Sequence, residues 1–425
     1  MRVLLFRMLC DTGGVSSSML LLGRQMTQRG IDCEYWFCQP SSRLPEFTAS
    51  GRTTTVGPLS ALARRLERGD VDVVQMTASD PAAEMVARIA GPARVVVTAR
   101  GALADIWDRH NCFAYTAISK GMAEVNQPFT ELEIEVVRNA IDVDAYAPPL
   151  ASAAGAPIVA FVGRTTGVEK NFPRFTRIAR RLADRGARIW IADPHKADWS
   201  KFDGKPVERI EPERWGPVAH ADIPEFYRAV AASGGVVLMT STSEGFGNVA
   251  PEAAACGARV AAPDVMGLRE AVVDGVTGML YPAAAGDDEV TERLQAWLDE
   301  PHDMRACAEA ACREFSPTVM LDGYSAIYDR RAQRLRTGAV TPVVTRAEDA
   351  PGMAVLYQHL ERQRTWRANF SRQAAVDLAG AGYRGLALHA LAGGFRAAPK
   401  QFLSRTGLRQ LASTGARLAV PARRA

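Results

Sequence analysis

Short runs of β-branched and apolar residues alternate with stretches of helical periodicity almost from the first residue, and this rhythm constrains the fold more than any other feature. Val3–Met8, Ile31–Phe37, Val71–Met76, Val95–Thr98 and Phe113–Ile118 read as strands. Val15–Arg29, Leu59–Arg68 and Pro81–Ala90 read as the helices between them. Such alternation implies a parallel sheet covered on both faces. It stops over Tyr146–Pro157, a stretch rich in Pro, Ala and Gly that lacks periodicity and reads as a linker. The rhythm then restarts with strands at Ile158–Val162, Ala187–Ile191, Val207–Ile210, Gly235–Met239 and Ala258–Ala262. Helices are expected near 171–185, 222–231 and 250–256, then at 287–299, 302–313 and 317–335.

The expected architecture is therefore α/β, with two doubly wound parallel-sheet domains facing a cleft. They occupy residues 1–145 and 158–340, joined by a hinge at 146–157 and followed by a helical extension over 341–425. A chain of 425 residues is too long for one ordinary core, and 47% apolar with 23% charged residues is a soluble globular composition. No run of about 18 uncharged apolar residues is present, so a spanning helix is not expected. Arg7 interrupts the apolar start, which favours a buried first strand over a signal segment.

Seven cysteines lie scattered at 10, 33, 38, 112, 256, 307 and 312, with no C-x-x-C pair. That spacing argues against a zinc site or a disulfide framework and points to a reducing, cytoplasmic setting. His110, His195, His220, His302, His359 and His389 show no metal-ligand spacing, so no metal is expected. Trp107 and Trp215 could stack on a sugar, although packing or surface roles are commoner.

Three loops carry candidate chemistry. The first is Asp11-Thr-Gly-Gly-Val15, where Gly13 and Gly14 let the backbone approach a ligand before a helix begins. A plain βα turn would have the same composition. The dinucleotide fingerprint and the P-loop are both absent, which disfavours a nicotinamide enzyme or an ATPase. In the second loop, Gly163 and Arg164 follow a strand, with Glu169-Lys170-Asn171 close behind. Cations at a strand's carboxyl end suit a diphosphate leaving group, whereas the same residues in a solvated loop would mean little. The third runs Ser243-Glu244-Gly-Phe246-Gly247-Asn248-Val-Ala-Pro251-Glu252. Pro251 fits a helix's first turn, which starts a helix near Asn248 and turns its positive end toward phosphate. Glu244 and Glu252 are suited to accept hydrogen bonds from sugar and ribose hydroxyls. A capping glutamate beside a surface glutamate is the plainer alternative.

With these residues in order, the sequence resembles the retaining family-four glycosyltransferases (glycosyl transferases group 1), which have the GT-B fold of two Rossmann-like domains. The resemblance spans roughly 1–335. It rests on Gly13-Gly14-Val15 with Arg29-Gly30, on Val137–Asp144, on Gly163-Arg164 with Lys170, and on Glu244-Gly-Phe-Gly247 with Glu252. Gly267-Leu-Arg-Glu270 and Asp274–Gly278 complete it. It implies a metal-independent hexosyltransferase that takes a nucleotide-sugar donor, UDP or GDP type, as substrate and needs no further cofactor. It implies that Arg164 and Lys170 hold the donor diphosphate beside Gly163. Glu244 would hold the transferred sugar and Glu252 the ribose, with the amides of Phe246, Gly247 and Asn248 alongside. Gly13 and Gly14 would approach from the other domain.

One departure stands out. Where many members have His-Gly, this sequence has Arg100-Gly101. Arginine cannot serve as a titrating acid or base near neutral pH, but it can bind a phosphate or an acidic sugar. Arg100 thus joins Glu244, Arg164 and Lys170 as a candidate catalytic position.

The extension is the basic part of the chain. Residues 341–425 carry thirteen Arg/Lys against four Asp/Glu, about +9 of charge, so the formal total of +4 leaves about −5 for the rest. Helices are expected over Met353–Leu378 and Tyr383–Arg396, with Leu388, Leu391 and Phe395 at helical spacing. Arg384, Arg396, Lys400, Arg405, Arg409, Arg417, Arg423 and Arg424 surround or follow them. A basic amphipathic segment can lie on an anionic membrane, which would make the protein peripheral on the inner face. The alternative is a helical hairpin packed on the second domain. No recognition motif for nucleic acid accompanies the charge.

The function expected from the sequence is transfer of a sugar to a glycan or lipid-linked acceptor, as in surface polysaccharide synthesis. A non-catalytic sugar-nucleotide-binding partner subunit is the first alternative. A GT-B-fold epimerase is the second, disfavoured because Arg100 supplies no titrating group.

Overall fold

The computed structural model describes residues 1–10, 13–101, 112–152, 155–194, 198–202, 205–337 and 370–397. Asp11, Thr12, Trp107, His110, His195, His359 and the part of the expected Met353–Leu378 helix before residue 370 fall outside the described residues, as do Lys400 and the arginines after it.

In the first sheet the strands are β1 (Arg2–Leu9), β2 (Asp32–Gln39), β3 (Thr54–Val56), β4 (Val73–Thr77), β5 (Val95–Ala99), β6 (Ala114–Ala117) and β7 (Ile134–Val136). Their order is β3-β2-β1-β4-β5-β6-β7, every pair parallel. The helices between them are α1 (Gly14–Gln28), α2 (Leu44–Ala49), α3 (Leu59–Glu67), α4 (Ala83–Ala90) and α5 (Lys120–Asn126). β4 and β5 are buried along their whole length, as unbroken apolar runs in a doubly covered sheet should be.

A second sheet repeats the plan with β8 (Ile158–Val162), β9 (Arg188–Ala192), β12 (Arg214–Gly216), β13 (Val236–Leu238), β14 (Arg259–Pro263) and β15 (Met279–Tyr281). The order is β12-β9-β8-β13-β14-β15, again all parallel. A small antiparallel pair, β10 (Lys201–Phe202) and β11 (Lys205–Pro206), projects from the connection between β9 and β12. Helices α6 (Phe172–Ala183), α7 (Ile223–Ala232), α8 (Val249–Ala255), α9 (Leu268–Ala271), α10 (Asp287–Asp299), α11 (Met304–Glu314) and α12 (Pro317–Thr337) follow in chain order. Phe161, Phe172 and Phe175 form the aromatic centre of the core, with centroids 4.9 to 5.7 Å apart.

Both sheets reverse direction beside their first strand, β1/β4 in one and β8/β13 in the other, which is the order of a dinucleotide-binding sheet. Loops leaving the carboxyl ends of these strand pairs border the crevice where such sheets bind ligands. The architecture is the GT-B fold.

Several expectations need correction. Val207–Ile210 is not a strand; the edge position next to β9 is taken by Arg214–Gly216. Ile210 is buried in the core while Trp215 is 44% exposed, so apolar content marked the wrong segment of this edge. The short β3, β7 and β15 were invisible to periodicity because three residues cannot display one.

The described residues fall into two compact units. One comprises Met1–Ala117, Ala123–Val136 and the described residues from Gly323 onward; the other comprises Ile118–Met122 and Val137–Asp322. The hinge-side stretch is fastened to the second unit, where Phe315 O accepts from Ile141 N at 3.1 Å and Arg138 pairs with Glu314 at 2.7 Å. Helix α12 leaves that unit and places Tyr324 and Tyr328, both fully buried, in the first. Tyr324 Oη lies 3.2 Å from Thr98 Oγ1, and Tyr328 donates to Gln75.

The extension packs on the first unit, not the second. A helix over residues 370–380 (α13) and α14 (Arg384–Ala397) lie against α3 and α4. The Asp377 carboxylate accepts from Ser60 N at 2.9 Å and from Ser60 Oγ at 2.6 Å, so a side chain from the far end of the sequence caps α3. His389 reaches Glu84 at 3.1 Å. The buried face of α14 is Ala387 and Ala390, whereas Leu388 and Phe395 are exposed, so the expected apolar stripe is not the packed one. Small residues win because they let two helices approach closely.

Candidate functional site

At the switch point of the second sheet, the chain leaves β8 through Gly163 with φ 144 and leaves β13 through Met239 and Thr240. These two loops bring together the cations and carboxylates selected from the sequence. Lys170 Nζ lies 2.6 Å from Glu244 Oε1, and Ser241 Oγ donates to the same oxygen at 2.8 Å. Both charged side chains are mostly shielded, 17% exposed for Lys170 and 11% for Glu244, so the pair is held in one geometry rather than sampled in water.

The backbone around the pair is fixed from beneath. Thr240 Oγ1 donates toward the carbonyls of Lys170 and Asn171 at 3.0 and 3.1 Å, and Thr242 N donates to Glu169 O at 2.8 Å. Asn171 takes the left-handed conformation, φ 48 and ψ 49, and is the sole non-glycine residue among those described to do so. Asparagine tolerates it, and the turn joins the Val168–Lys170 3-10 segment to α6.

Arg164 pairs with Glu169 rather than with the Lys170–Glu244 couple. Burial pushes the Glu169 carboxyl up, but its own backbone amide and the Arg164 charge outweigh this and hold it below the usual carboxylate range. The four groups therefore form two adjacent ion pairs on one loop system. An incoming polyanion would exchange partners with them without stripping a bare charge from water.

Beyond β13 the loop Glu244–Gly247 is clamped against Gly267. Gly267 has φ 81, and a Cβ there would overlap the Glu244 carbonyl oxygen; a Cβ on Gly247, φ 89, would sit 2.5 Å from Leu268 Cδ2. Glu244 N donates to Met266 O at 3.2 Å, and Ser119 Oγ donates to Gly245 O at 2.7 Å. Phe246 turns its ring into the core, 1% exposed and edge-on to Phe315, so only its backbone is available to a ligand.

Asn248 precedes α8, and its Oδ1 accepts from Asn139 Nδ2 at 3.1 Å. With seven residues, α8 offers local N–H groups and little macrodipole, less than the sequence suggested. Glu252 lies on its first turns, and Tyr227 Oη donates to Glu252 Oε2 at 3.4 Å. Burial, then the neighbouring Glu252, pushes the Tyr227 hydroxyl well above its ordinary pKa, so it remains a donor.

Sequence reasoning found the charged members of this site and missed Ser241, Thr240, Tyr227 and Asn139. The Thr240-Ser241-Thr242 run at a strand end, three residues before Glu244, was a usable signal for the first two. Tyr227 and Asn139 come from distant segments and had none.

In the first unit, Gly13 caps the start of α1 with φ 128, and Gly14 opens the helix. Arg7 on β1 donates to Ser16 Oγ in the first turn. Arg100 follows β5 directly and is half-buried. Among the described residues no group of three His, Cys, Asp or Glu side chains is placed to hold a metal. No described helix is long and apolar enough to cross a membrane.

Comparison with known proteins agrees with the geometry. Residues 156–300 match the family model described as Glycosyl transferases group 1. A D-inositol 3-phosphate glycosyltransferase of Kribbella flavida is 31% identical over 200 residues, 42% of this chain and 46% of that protein, so the match spans under half of that relative. A glycosyltransferase from Rickettsia africae superposes with a TM-score of 0.61 at 14% identity, covering 78% of this chain and 98% of that one. Anabaena HepE, solved with UDP-glucose, gives 0.60 at 16% identity over 79% of this chain and 99% of its own. The ordered motifs, the matched second-unit segment and the shared two-sheet plan together identify a chain that resembles the group 1 glycosyltransferases of GT-B fold.

Proposed function

We propose that this protein is a retaining, metal-independent glycosyltransferase that uses a nucleotide-sugar donor. The observation that carries the reading is the shielded Lys170–Glu244 pair with Ser241 on Glu244, set at the switch point beside Gly163 and the Gly245–Gly247 backbone.

The chemistry follows from the charges. As the glycosidic bond to the donor breaks, negative charge builds on the departing phosphate. Lys170 and Arg164 supply fixed cations for it, and preorganised charge in a shielded site is worth far more than in water. Once Lys170 turns to phosphate, Glu244 is released to accept hydroxyl hydrogen bonds from the transferred sugar. Glu252, steadied by Tyr227, accepts from the ribose. No side chain in the second-unit site is placed as an obvious covalent nucleophile, so a front-face displacement fits, with the departing phosphate taking the acceptor's proton.

The donor is of UDP or GDP type, and the UDP-glucose carried by Anabaena HepE favours the former. The acceptor is a hydroxyl on a glycan, a glycolipid or, in keeping with the name of the Kribbella relative, a phosphorylated polyol. Synthesis of a surface polysaccharide is a setting that suits the first two. The basic C-terminal residues suit attachment to the anionic inner face of a membrane.

Thermal unfolding with UDP, GDP, ADP, TDP and CMP tests the reading. A nucleotide at 100 times its dissociation constant stabilises by about 2.7 kcal/mol, a shift of several degrees. One responding nucleotide, lost in Arg164→Ala, supports the donor site. No response to any of them removes it.

A further inference from the structure

A buried carboxylate outside the Lys170–Glu244 couple is bonded to the same loop system of the second unit. Asp193 follows β9 directly and is 1% exposed. Its Oδ2 accepts from Thr165 N at 3.0 Å and from Thr165 Oγ1 at 2.5 Å. Thr165 is fully buried, so its hydroxyl faces the protein and is shielded from any ligand. Asp193 is held in turn by its own amide, which donates to Gly216 O at 3.0 Å, at the end of β12.

These bonds bracket Arg164. On one side of it, Gly163 N donates to Ala192 O at 2.9 Å. On the other, Thr165 is gripped by Asp193, the next residue of the same strand end. The turn closes where Gly167 N donates to Arg164 O at 3.1 Å. Gly163 has φ 144, and a Cβ there would lie 3.5 Å from Lys170 Cε, so the Lys170 stem passes over the same stretch of backbone. The main chain on both sides of Arg164 is therefore fixed, while its side chain is 51% exposed.

We propose that Asp193 and Thr165 are positioning residues for the donor: the buried carboxylate, acting through Thr165, fixes the turn that presents Arg164 to the diphosphate. The proposal rests on the glycosyltransferase reading and deepens it. Burying a carboxylate carries a desolvation penalty that apolar side chains of the same volume would avoid. What the carboxylate supplies in return is direction. A guanidinium fork recognises phosphate oxygens through two parallel hydrogen bonds, and a turn free to wander would lose one of them. A turn ordered before the ligand arrives also spares the cost of ordering it on binding.

The test measures UDP affinity of the full chain by calorimetry, with GDP as the second probe. It is run as a double-mutant cycle with Arg164→Lys, which keeps a cation and removes the fork. Asp193→Ala should weaken binding by about tenfold or more in the wild-type chain, as loss of hydrogen bonds to a charged group does. In the Arg164→Lys chain the same change should cost less than about threefold, because coupled residues are not additive. Thr165→Val removes only the hydroxyl bond and should weaken binding several-fold, whereas Thr165→Ser should bind as wild type. A carboxylate that only stabilises the fold would cost the same in both backgrounds, and that result overturns the proposal. So does wild-type affinity in Asp193→Ala. If Asp193→Ala does not fold, Thr165→Val carries the same cycle, and equal losses or none overturn the proposal. Failure of both UDP and GDP to bind the wild-type chain would instead sink the glycosyltransferase reading, so the two failures are distinguishable.

Discussion

The two sheets share one strand order, and the loops at their switch points are built differently. At the second sheet's switch point each cation already has a carboxylate: Lys170 with Glu244, Arg164 with Glu169. At the first sheet's switch point Arg7, on β1, is tied to the Ser16 hydroxyl in the first turn of α1, and Gly13 and Gly14 open that helix. Topology places loops, and side chains decide what the loops do. On the proposed reading, a balanced site can release a diphosphate product because its own carboxylates take the cations back. The family match over 156–300 falls wholly in the second unit, where the balanced design lies.

The largest effect that would sharpen this contrast is at Glu244. Replacement by alanine leaves Lys170 without its carboxylate and, on the proposed reading, the transferred sugar without its acceptor. Sugar transfer should fall by roughly 100-fold or more. Product formation equal to wild type, measured by release of the nucleoside diphosphate, would remove the second unit's charge balance from the mechanism.

Next is Gly267→Ala. The new Cβ meets the Glu244 carbonyl at a positive φ, so the loop must shift or the helix α9 must move. A stability loss of about 1–3 kcal/mol is expected in urea unfolding, along with a weaker response to UDP. An unchanged midpoint would show that the loop is not clamped as described.

A smaller effect should confine itself to the first unit. Asp377→Ala removes the cap on α3 and should cost about 1 kcal/mol, while leaving stabilisation by UDP intact. If the UDP response falls as well, the extension serves the second unit's chemistry and the division drawn here is too sharp.

The smallest is a pH effect in the second unit. Burial lowers the pKa of His302, whose Nε2 lies 2.8 Å from Gly257 O. Its folded pKa lies below the unfolded value, so its contribution is present above the unfolded pKa and is lost as pH falls through the folded one. Stability should therefore decline on acidification below about 6.5, the ordinary histidine pKa. His302→Gln should flatten that part of the profile, and an unaltered slope would assign the decline to other groups.

The helices and the longer strands were legible because each is long enough to show its period. Ile158–Val162 and Asp287–Asp299 appear where the pattern put them. The charged residues of the candidate site were legible too, since Gly163-Arg164, Lys170 and Glu244 fall in the connections after two strands and Glu252 in the helix that follows the second. Three-residue strands were not, and neither was the edge strand Arg214–Gly216, whose exposed Trp215 mimics a loop. By itself the sequence determined two parallel sheets and a list of charges at their carboxyl ends. Only the tertiary structure decided which groups meet: Lys170 with Glu244 across 74 residues and Asp377 with Ser60 across 317. Periodicity is a property of neighbours along the chain, whereas charge pairing depends on strand order and register, which no local stretch encodes.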